Sequence, residues 1–295
     1  MPGPGGGREH GQFYSVFGKR GNEIAPRKKI GLIAGQGQFP LLLSKAAQER
    51  GVQVFAAAHE GETPESIERF VEDVMWIKLG QLGKIISYFK QHGLKEAVMA
   101  GAITKTDIFG HIEPDDRALD IVARLGSLND DSFLREVAVE FEKEGISIQP
   151  STIYTPELQA PPGVLTKRSP SAEEEMDIRF GWRMAKAIGG LDIGQCVVVR
   201  HRTVLAVEAI EGTDETIRRG GRLAKEGAVV VKVIKPNQDI RFDMPSIGLN
   251  TISVLEEAGI SVLAIEAGKT LVFNRAEMIA AADLADIAII AREDD

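Results

Sequence analysis

From residue 29 onward, short apolar and β-branched runs alternate with amphipathic stretches. KIGLIA, VQVFAAA, VMWIKLG and EAVMAGA carry little polar alternation, as parallel strands covered on both faces do. Between them, PLLLSKAAQER and QLGKIISYFKQH place apolar residues at helical spacing and close on Gly51 and Gly93, where the residue just past a helix takes a positive φ. The pattern predicts a βαβ rhythm and a parallel sheet. DDRALDIVARLG and DDSFLREVAVEFEKEG predict two more helices, and ISIQPST a strand.

The proline-rich stretch TPELQAPPGVLTKRSPSAEEE breaks the rhythm, which sets a domain boundary near Pro161. Beyond it, Ser171 and Glu174 form a capping-box pattern opening a helix towards Ala187, and VVVRHRTVLAVEA predicts an antiparallel hairpin turning near His201 and Arg202. Helix and strand patterns then alternate to IAIIAR. The expected class is α/β, with domains at 29–160 and 161–295 after an extension at 1–28.

Composition narrows the function. The chain has 295 residues, 43% hydrophobic and 26% charged, enough for two ordinary cores. Its net charge of −8 argues against a broad nucleic-acid surface, which needs clustered Lys and Arg. A single cysteine, Cys196, excludes a disulfide framework and a cysteine metal site, and fits a reducing, cytoplasmic setting. The first 28 residues are rich in glycine, proline and charge, and lack the apolar core of a signal peptide. No run approaches the roughly 20 apolar residues of a spanning helix, so any expected membrane contact is peripheral.

Candidate chemistry gathers at strand ends. GQGQFP lies between the first strand and first helix; Gly35 and Gly37 permit a tight turn, and the helix start at Gln38 offers N–H groups to a phosphate. Pro40 replaces the third glycine of a dinucleotide fingerprint and only Glu60 follows the second strand, which disfavours a nicotinamide-dependent dehydrogenase; a plain strand-to-helix turn is the alternative. LGQLGK, with Gly80, Gln81 and Lys84, and AGAITK, with Lys105, fall at the strand ends where open α/β sheets collect ligands, or are turns with solvated lysines. Asn129 in SLNDDS is a site residue or a helix cap. The five histidines show no ligand spacing, and G-x-S-x-G is missing, so zinc and serine-hydrolase chemistry are disfavoured. Oxygen ligands remain, which suit Mg²⁺ or Mn²⁺.

The second half holds the denser acids. AVEAIEGTDETI ends a strand in Glu208, Glu211 and Asp214, the last either a helix cap or a site residue. KPNQDIRFDMPSIG places Asp239, Arg241 and Asp243 at i, i+2 and i+4, on one side of the chain if the segment is extended. Lys232 and Lys235 are close by, and mixed carboxylates and bases are what a magnesium-bound phosphate site needs.

Taken in order, GLIAGQGQFP, LGQLGK, MAGAITK, AVEAIEGTD and KPNQDIRFDMPSIGLNTI resemble the bacterial UDP-2,3-diacylglucosamine pyrophosphatases of lipid A biosynthesis, in the form that is not a metallophosphoesterase. The similarity runs from about residue 29 to 292. It implies a Rossmann-like first domain, a separate second domain and a ligand cleft between them. It also implies divalent-cation-dependent hydrolysis to 2,3-diacylglucosamine 1-phosphate and UMP, with water attacking the α-phosphorus. The family's essential aspartate matches Asp243. On this reading Asp243 and Asp239 hold Mg²⁺ (or Mn²⁺), and Arg241 and Lys232 neutralise phosphoryl charge. Gly35, Gly37, Gln38, Gly80, Gln81, Lys84, Lys105, Asn129, Thr213, Asp214 and Thr251 are the expected substrate contacts. Expected partners are the glycolipid and the cytoplasmic face of the inner membrane, with a homodimer allowed and no nucleic acid. A nucleotide- or lipid-binding protein without turnover remains the alternative.

Overall fold

The apolar runs become strands and the amphipathic stretches helices in the computed structural model, which describes residues 27–103, 113–125, 130–241 and 243–293 together with Met1 and Gly3. The expected extension at 1–28 therefore falls almost wholly outside the described residues, as do Lys105 and Asn129.

The first half contains β1 (Lys29–Ala34), α1 (Phe39–Glu49), β2 (Gln53–His59), β3 (Asp73–Ile77), α2 (Leu82–Gln91), β4 (Glu96–Ala100), α3 (Asp116–Leu125), α4 (Asp130–Lys143) and β5 (Ser147–Ile148). Its five strands lie in the order β3-β2-β1-β4-β5, all parallel. This is a doubly wound sheet whose direction of winding reverses between β1 and β4, the place where such sheets leave a crevice at their carboxyl edge. One face packs on α1 through Leu32, Leu43 and Val54. The other packs on α2, α3 and α4 through Phe89, Ile121 and Phe141. β5 is shorter than ISIQPST predicts: Pro150 has no N–H to give the sheet, and the Ser151 N–H goes instead to the carbonyl of Arg241 (2.8 Å).

The second half comprises β6 (Gly163–Val164), α5 (Ala172–Gly190), β7 (Cys196–Arg200), β8 (Thr203–Val207), α6 (Thr213–Ala224), β9 (Ala228–Lys232), β10 (Ser246–Ile247), α7 (Leu249–Glu257), β11 (Ile260–Glu266), β12 (Leu271–Val272), α8 (Arg275–Leu284) and β13 (Ala288–Arg292). Six of its strands form a mixed sheet, β6-β13-β11-β9-β7-β8. The β7–β8 hairpin turns at His201 and Arg202, both at positive φ (48° and 55°), as a two-residue turn between twisted strands requires. Asp177 fixes that turn by accepting the His201 and Arg202 N–H groups at 2.8 and 2.6 Å. Part of the proline-rich stretch adds β6 antiparallel to β13, so it does more than connect the two halves. α6, α7 and α8 cover one face of this sheet and α5 the other.

The capping box at α5 is present: Ser171 Oγ accepts the Glu174 N–H (3.3 Å), and Glu174 accepts the Ser171 N–H (2.7 Å). Partial burial would raise the Glu174 carboxyl, but two hydrogen bonds from Arg168 at 2.9 Å and the Ser171 N–H outweigh it and hold the pKa at about 2. A depressed carboxylate contributes stability above its unfolded pKa and loses it as pH falls through the folded one. Wild type should therefore lose stability between about pH 4.5 and 2, and Glu174→Gln should show a shallower acid limb in urea titrations across that window.

The two halves are bonded together. Leu271 is buried in the first domain's core cluster, with Met244 and Phe273 packed beside it, and the rings of Phe39 and Phe273 lie 5.7 Å apart. Arg275 Nη2 donates to the carbonyls of Glu157 and Gln159, each at 2.6 Å.

Candidate functional site

Among the described residues, the helices that start at the carboxyl edges of the two sheets without a side-chain cap include α1 after Gln38, α6 after Gly212 and α7 after Gly248; α8 after Asn274 is another. The first N–H groups of a helix carry partial positive charge and want an acceptor. Uncapped starts at a ligand-binding edge suit an anion, whereas α5 answers its own need with Ser171 and Glu174.

In the first domain, Gly35 and Gly101 interlock at the crevice between β1 and β4. The Gly35 N–H donates to Ala100 O at 2.8 Å, and the Gln36 N–H to Ala102 O at 2.7 Å. A Cβ on Gly35 would collide with the Ala102 carbonyl oxygen, and one on Gly101 would meet Gln36 O at 2.6 Å. Gly35 thus serves backbone-to-backbone approach, while Gly37 (φ 86°) and Gln38 sit against open space at the start of α1. His59 and Thr63 brace the turn from below: His59 Nδ1 pairs with Ala34 O at 2.9 Å, and Thr63 Oγ1 donates to the same oxygen at 2.6 Å. Burial lowers the His59 pKa and keeps the ring neutral.

Gly80, Gln81 and Lys84 are placed elsewhere. β3 is one edge of the sheet and β5 the other, and the Asp243 loop touches the β5 side through Ser151. The Gly83 N–H at the start of α2 is already taken by Asp115 Oδ2 at 2.5 Å, and Asp115 N donates to Gly80 O at 3.1 Å. Lys84 lies exposed on a groove with Asp115 and Arg117. Strand order thus sets these expected substrate contacts apart from the Asp243 loop, and a carboxylate distant in sequence caps the helix.

In the second domain the expected residues do converge. Lys232, at the end of β9, is buried and donates from Nζ to Ser246 O at 3.1 Å. Across β7 lies Glu208, also buried, which accepts from Thr213 Oγ1 (2.7 Å) and the Gln195 N–H (3.1 Å). The Cys196 thiol lies between them. Burial pushes its pKa strongly up, Glu208 and Asp214 add to the rise and Lys232 opposes it, so all three charges act on one small volume. The cap alternative for Asp214 fails, because Gly212 is the N-cap; Asp214 instead accepts from Asn250 Nδ2 at 3.0 Å and ties α6 to α7. Thr251 Oγ1 accepts the Gly248 N–H (3.2 Å) at the start of α7.

The loop between Lys232 and Ser246 carries the remaining acids. It is a turn, not an extended segment, so the expected shared face of Asp239, Arg241 and Asp243 does not form: Asp243 N donates to Asp239 O at 3.2 Å, and Arg241 folds back on Asp239. Arg241 Nε lies 3.1 Å from each Asp239 oxygen and Nη2 2.8 Å from Oδ2, while Nη1 reaches Glu142 on α4 at 3.2 Å. Partial burial opposes ionisation of Asp239, but Arg241, with Arg135 behind it, holds the pKa below the usual carboxylate range. Asp243 is half-buried and accepts a hydrogen bond from Gln238 Nε2. Glu142, Arg135, Gln238 and Asn250 were not legible as site residues, since nothing local in their segments marks them.

Among the described residues no three His, Cys, Asp or Glu side chains cluster as a metal-binding set. Mg²⁺ does not require one: it takes one or two carboxylates and completes its shell with substrate phosphates and water. The loop offers two carboxylates of that kind, Asp243, bonded by Gln238, and Asp239, engaged by Arg241.

The fold is that of a two-domain α/β protein whose halves pack on each other through Leu271, Phe273 and Arg275. The family model described as "LpxI N-terminal domain" matches residues 29–158, and that described as "LpxI C-terminal domain" matches residues 161–290. The chain is 37% identical over 267 residues to a protein of Caulobacter vibrioides named UDP-2,3-diacylglucosamine pyrophosphatase LpxI, covering 87% of this chain and 94% of that one. It belongs to the LpxI family. Solved structures match weakly. A complete pyruvate carboxylase from Rhizobium etli aligns at TM-score 0.28 and 15% identity, over 50% of this chain and 15% of that one. The ADP complex of N5-carboxyaminoimidazole ribonucleotide synthetase aligns at TM-score 0.27 and 16%, over 60% and 33%. Neither carries an argument here.

Proposed function

We propose that this chain hydrolyses UDP-2,3-diacylglucosamine to 2,3-diacylglucosamine 1-phosphate and UMP in lipid A biosynthesis; the pyrophosphatase activity on UDP-2,3-diacylglucosamine in the name of its Caulobacter relative supports the reading. The observation that carries the reading is the convergence of buried Lys232 with the uncapped starts of α6 and α7 beside the Asp243 loop. Such a site attracts and orients a diphosphate.

Water attacks the α-phosphorus, a new P–O bond forms to the water oxygen, and the bond to the bridging oxygen breaks. The electron pair leaves with the sugar 1-phosphate, and the proton of the water passes to solvent. Asp243 orients the water, with Gln238 fixing the carboxylate. Lys232 and Arg241 stabilise charge on the phosphoryl oxygens, and Arg241 releases Asp239 as it does so. Asp243 and Asp239 are the residues that would hold Mg²⁺ or Mn²⁺, which would supply charge neutralisation and a more acidic attacking water. Gly37 and Gln38 receive part of the UDP at the start of α1, while Thr213, Asp214 and Thr251 shape the second domain's side of the pocket.

Two measurements test this. In oxygen-18 water the label should enter UMP; label in the sugar phosphate instead would place attack on the other phosphorus. EDTA should abolish UMP release and added Mg²⁺ restore it, whereas a binding protein without turnover would release no UMP under any condition.

A further inference from the structure

We propose that the groove along α5 docks this protein on a membrane surface of anionic phospholipid. The groove encloses about 720 Å³, and its wall interleaves Arg179, Arg183 and Arg202 with Met176, Phe180 and Trp182. The three arginines are exposed. Arg183 lies 6.0 Å over the Phe180 ring, and Arg202 Nη1 donates to Met176 Sδ at 3.6 Å, so these two lie against the aromatic and thioether side chains of the groove. Lys186 and Arg292 also reach the groove but carry carboxylates with them, Glu266 at 2.8 Å and Glu175 respectively.

The charge here runs against the rest of the molecule. On a chain of net charge −8, a wall of arginines with Glu293 as the one acid among its described lining residues forms a local positive field that draws and orients an anionic surface. Aromatic and thioether side chains set among arginines suit the headgroup boundary, where apolar parts enter the lipid and guanidinium groups stay with the phosphates. No helix among the described residues is long and apolar enough to cross a membrane, so this contact is made at the surface. A second copy fits the groove poorly: a two-fold contact would set these exposed arginines against their own images.

Docking through α5 also serves the chemistry, and in this respect it rests on the substrate reading above. The carboxyl end of α5 abuts the catalytic loop, with the position of a Cβ on Gly189 only 3.2 Å from Lys235 Cα. A protein held by α5 therefore keeps the loop of Asp239 and Asp243 close to the lipid that presents its substrate.

The test uses the full chain with vesicles of pure phosphatidylglycerol and pure phosphatidylcholine. Wild type should sediment with the first and not the second, and rising salt should release it. Each arginine near an anionic surface contributes about fivefold, so the combined Arg179→Gln, Arg183→Gln, Arg202→Gln variant should partition roughly a hundredfold more weakly. Trp76 and Trp182 are the two tryptophans, so a Trp76→Phe background reports on the groove alone, and its fluorescence should shift to the blue on phosphatidylglycerol. Equal binding to both vesicles, or undiminished binding by the triple variant, overturns the proposal. So does a wild-type dimer in which Trp182 is already shielded from aqueous quencher, because a second copy then covers the groove. UMP release from detergent-dispersed substrate should be unchanged in the triple variant. If wild type released no UMP yet still bound phosphatidylglycerol, the enzyme reading would fall and the docking surface would stand.

Discussion

Asp243→Asn should retain the fold and substrate binding and lose UMP release by about a thousandfold or more, since one charge that orients water and ion is removed at the reacting phosphorus. The amide keeps an oxygen that accepts from Gln238, so the loop between Lys232 and Ser246 stays shaped and only the charge changes. Asp243→Ala should match it in rate, with a small further loss of stability as the Gln238 amide loses its partner. Turnover within tenfold of wild type in the asparagine variant would remove Asp243 from the mechanism. Asp239→Asn should fall between, because its carboxylate also holds Arg241 in the ligand-free protein.

Lys232→Met should reduce kcat/KM by roughly a hundredfold or more while leaving the protein folded. Met reproduces the unbranched apolar stem, and the buried position needs that stem more than a charge for packing. What disappears is the cation that opposes Glu208 and Asp214 at Cys196, and on the proposed mechanism the diphosphate loses one of the charges that stabilise its phosphoryl oxygens. If Lys232 served merely to hold Ser246 O, Tm would fall and kcat/KM per folded molecule would not. Lys232→Arg offers a further check: charge returns but the bulkier fork does not fit the site, so recovery should be partial.

The sheet layers were legible because burial on both faces leaves an unbroken apolar run that needs no knowledge of neighbours, as in AVVVK of β9 or QVFAAAH of β2. Local signals of similar strength marked the hairpin at His201 and the capping box at Ser171. The two-residue ladder of β10 and β12 was not legible, since its paired residues are 25 positions apart and neither run is long enough to show a period.

The site divides along the same line. Residue types made its chemistry a candidate in advance: acids and bases after β9, glycines after β1 and a lysine ending an otherwise apolar strand are the groups a phosphate site draws on. Which of them meet was decided by tertiary structure. Strand order put Lys84 and Asp243 at opposite edges of the first sheet, and a turn where extended chain was expected folded Arg241 onto Asp239. Glu208, Asp214 and Lys232 act together on Cys196 only because β7, β8, β9 and α6 brought them there. Local pattern reports burial and backbone preference, which a residue carries with it; contact between charges distant along the chain depends on register, winding and loop path, and those exist only once the whole fold has formed.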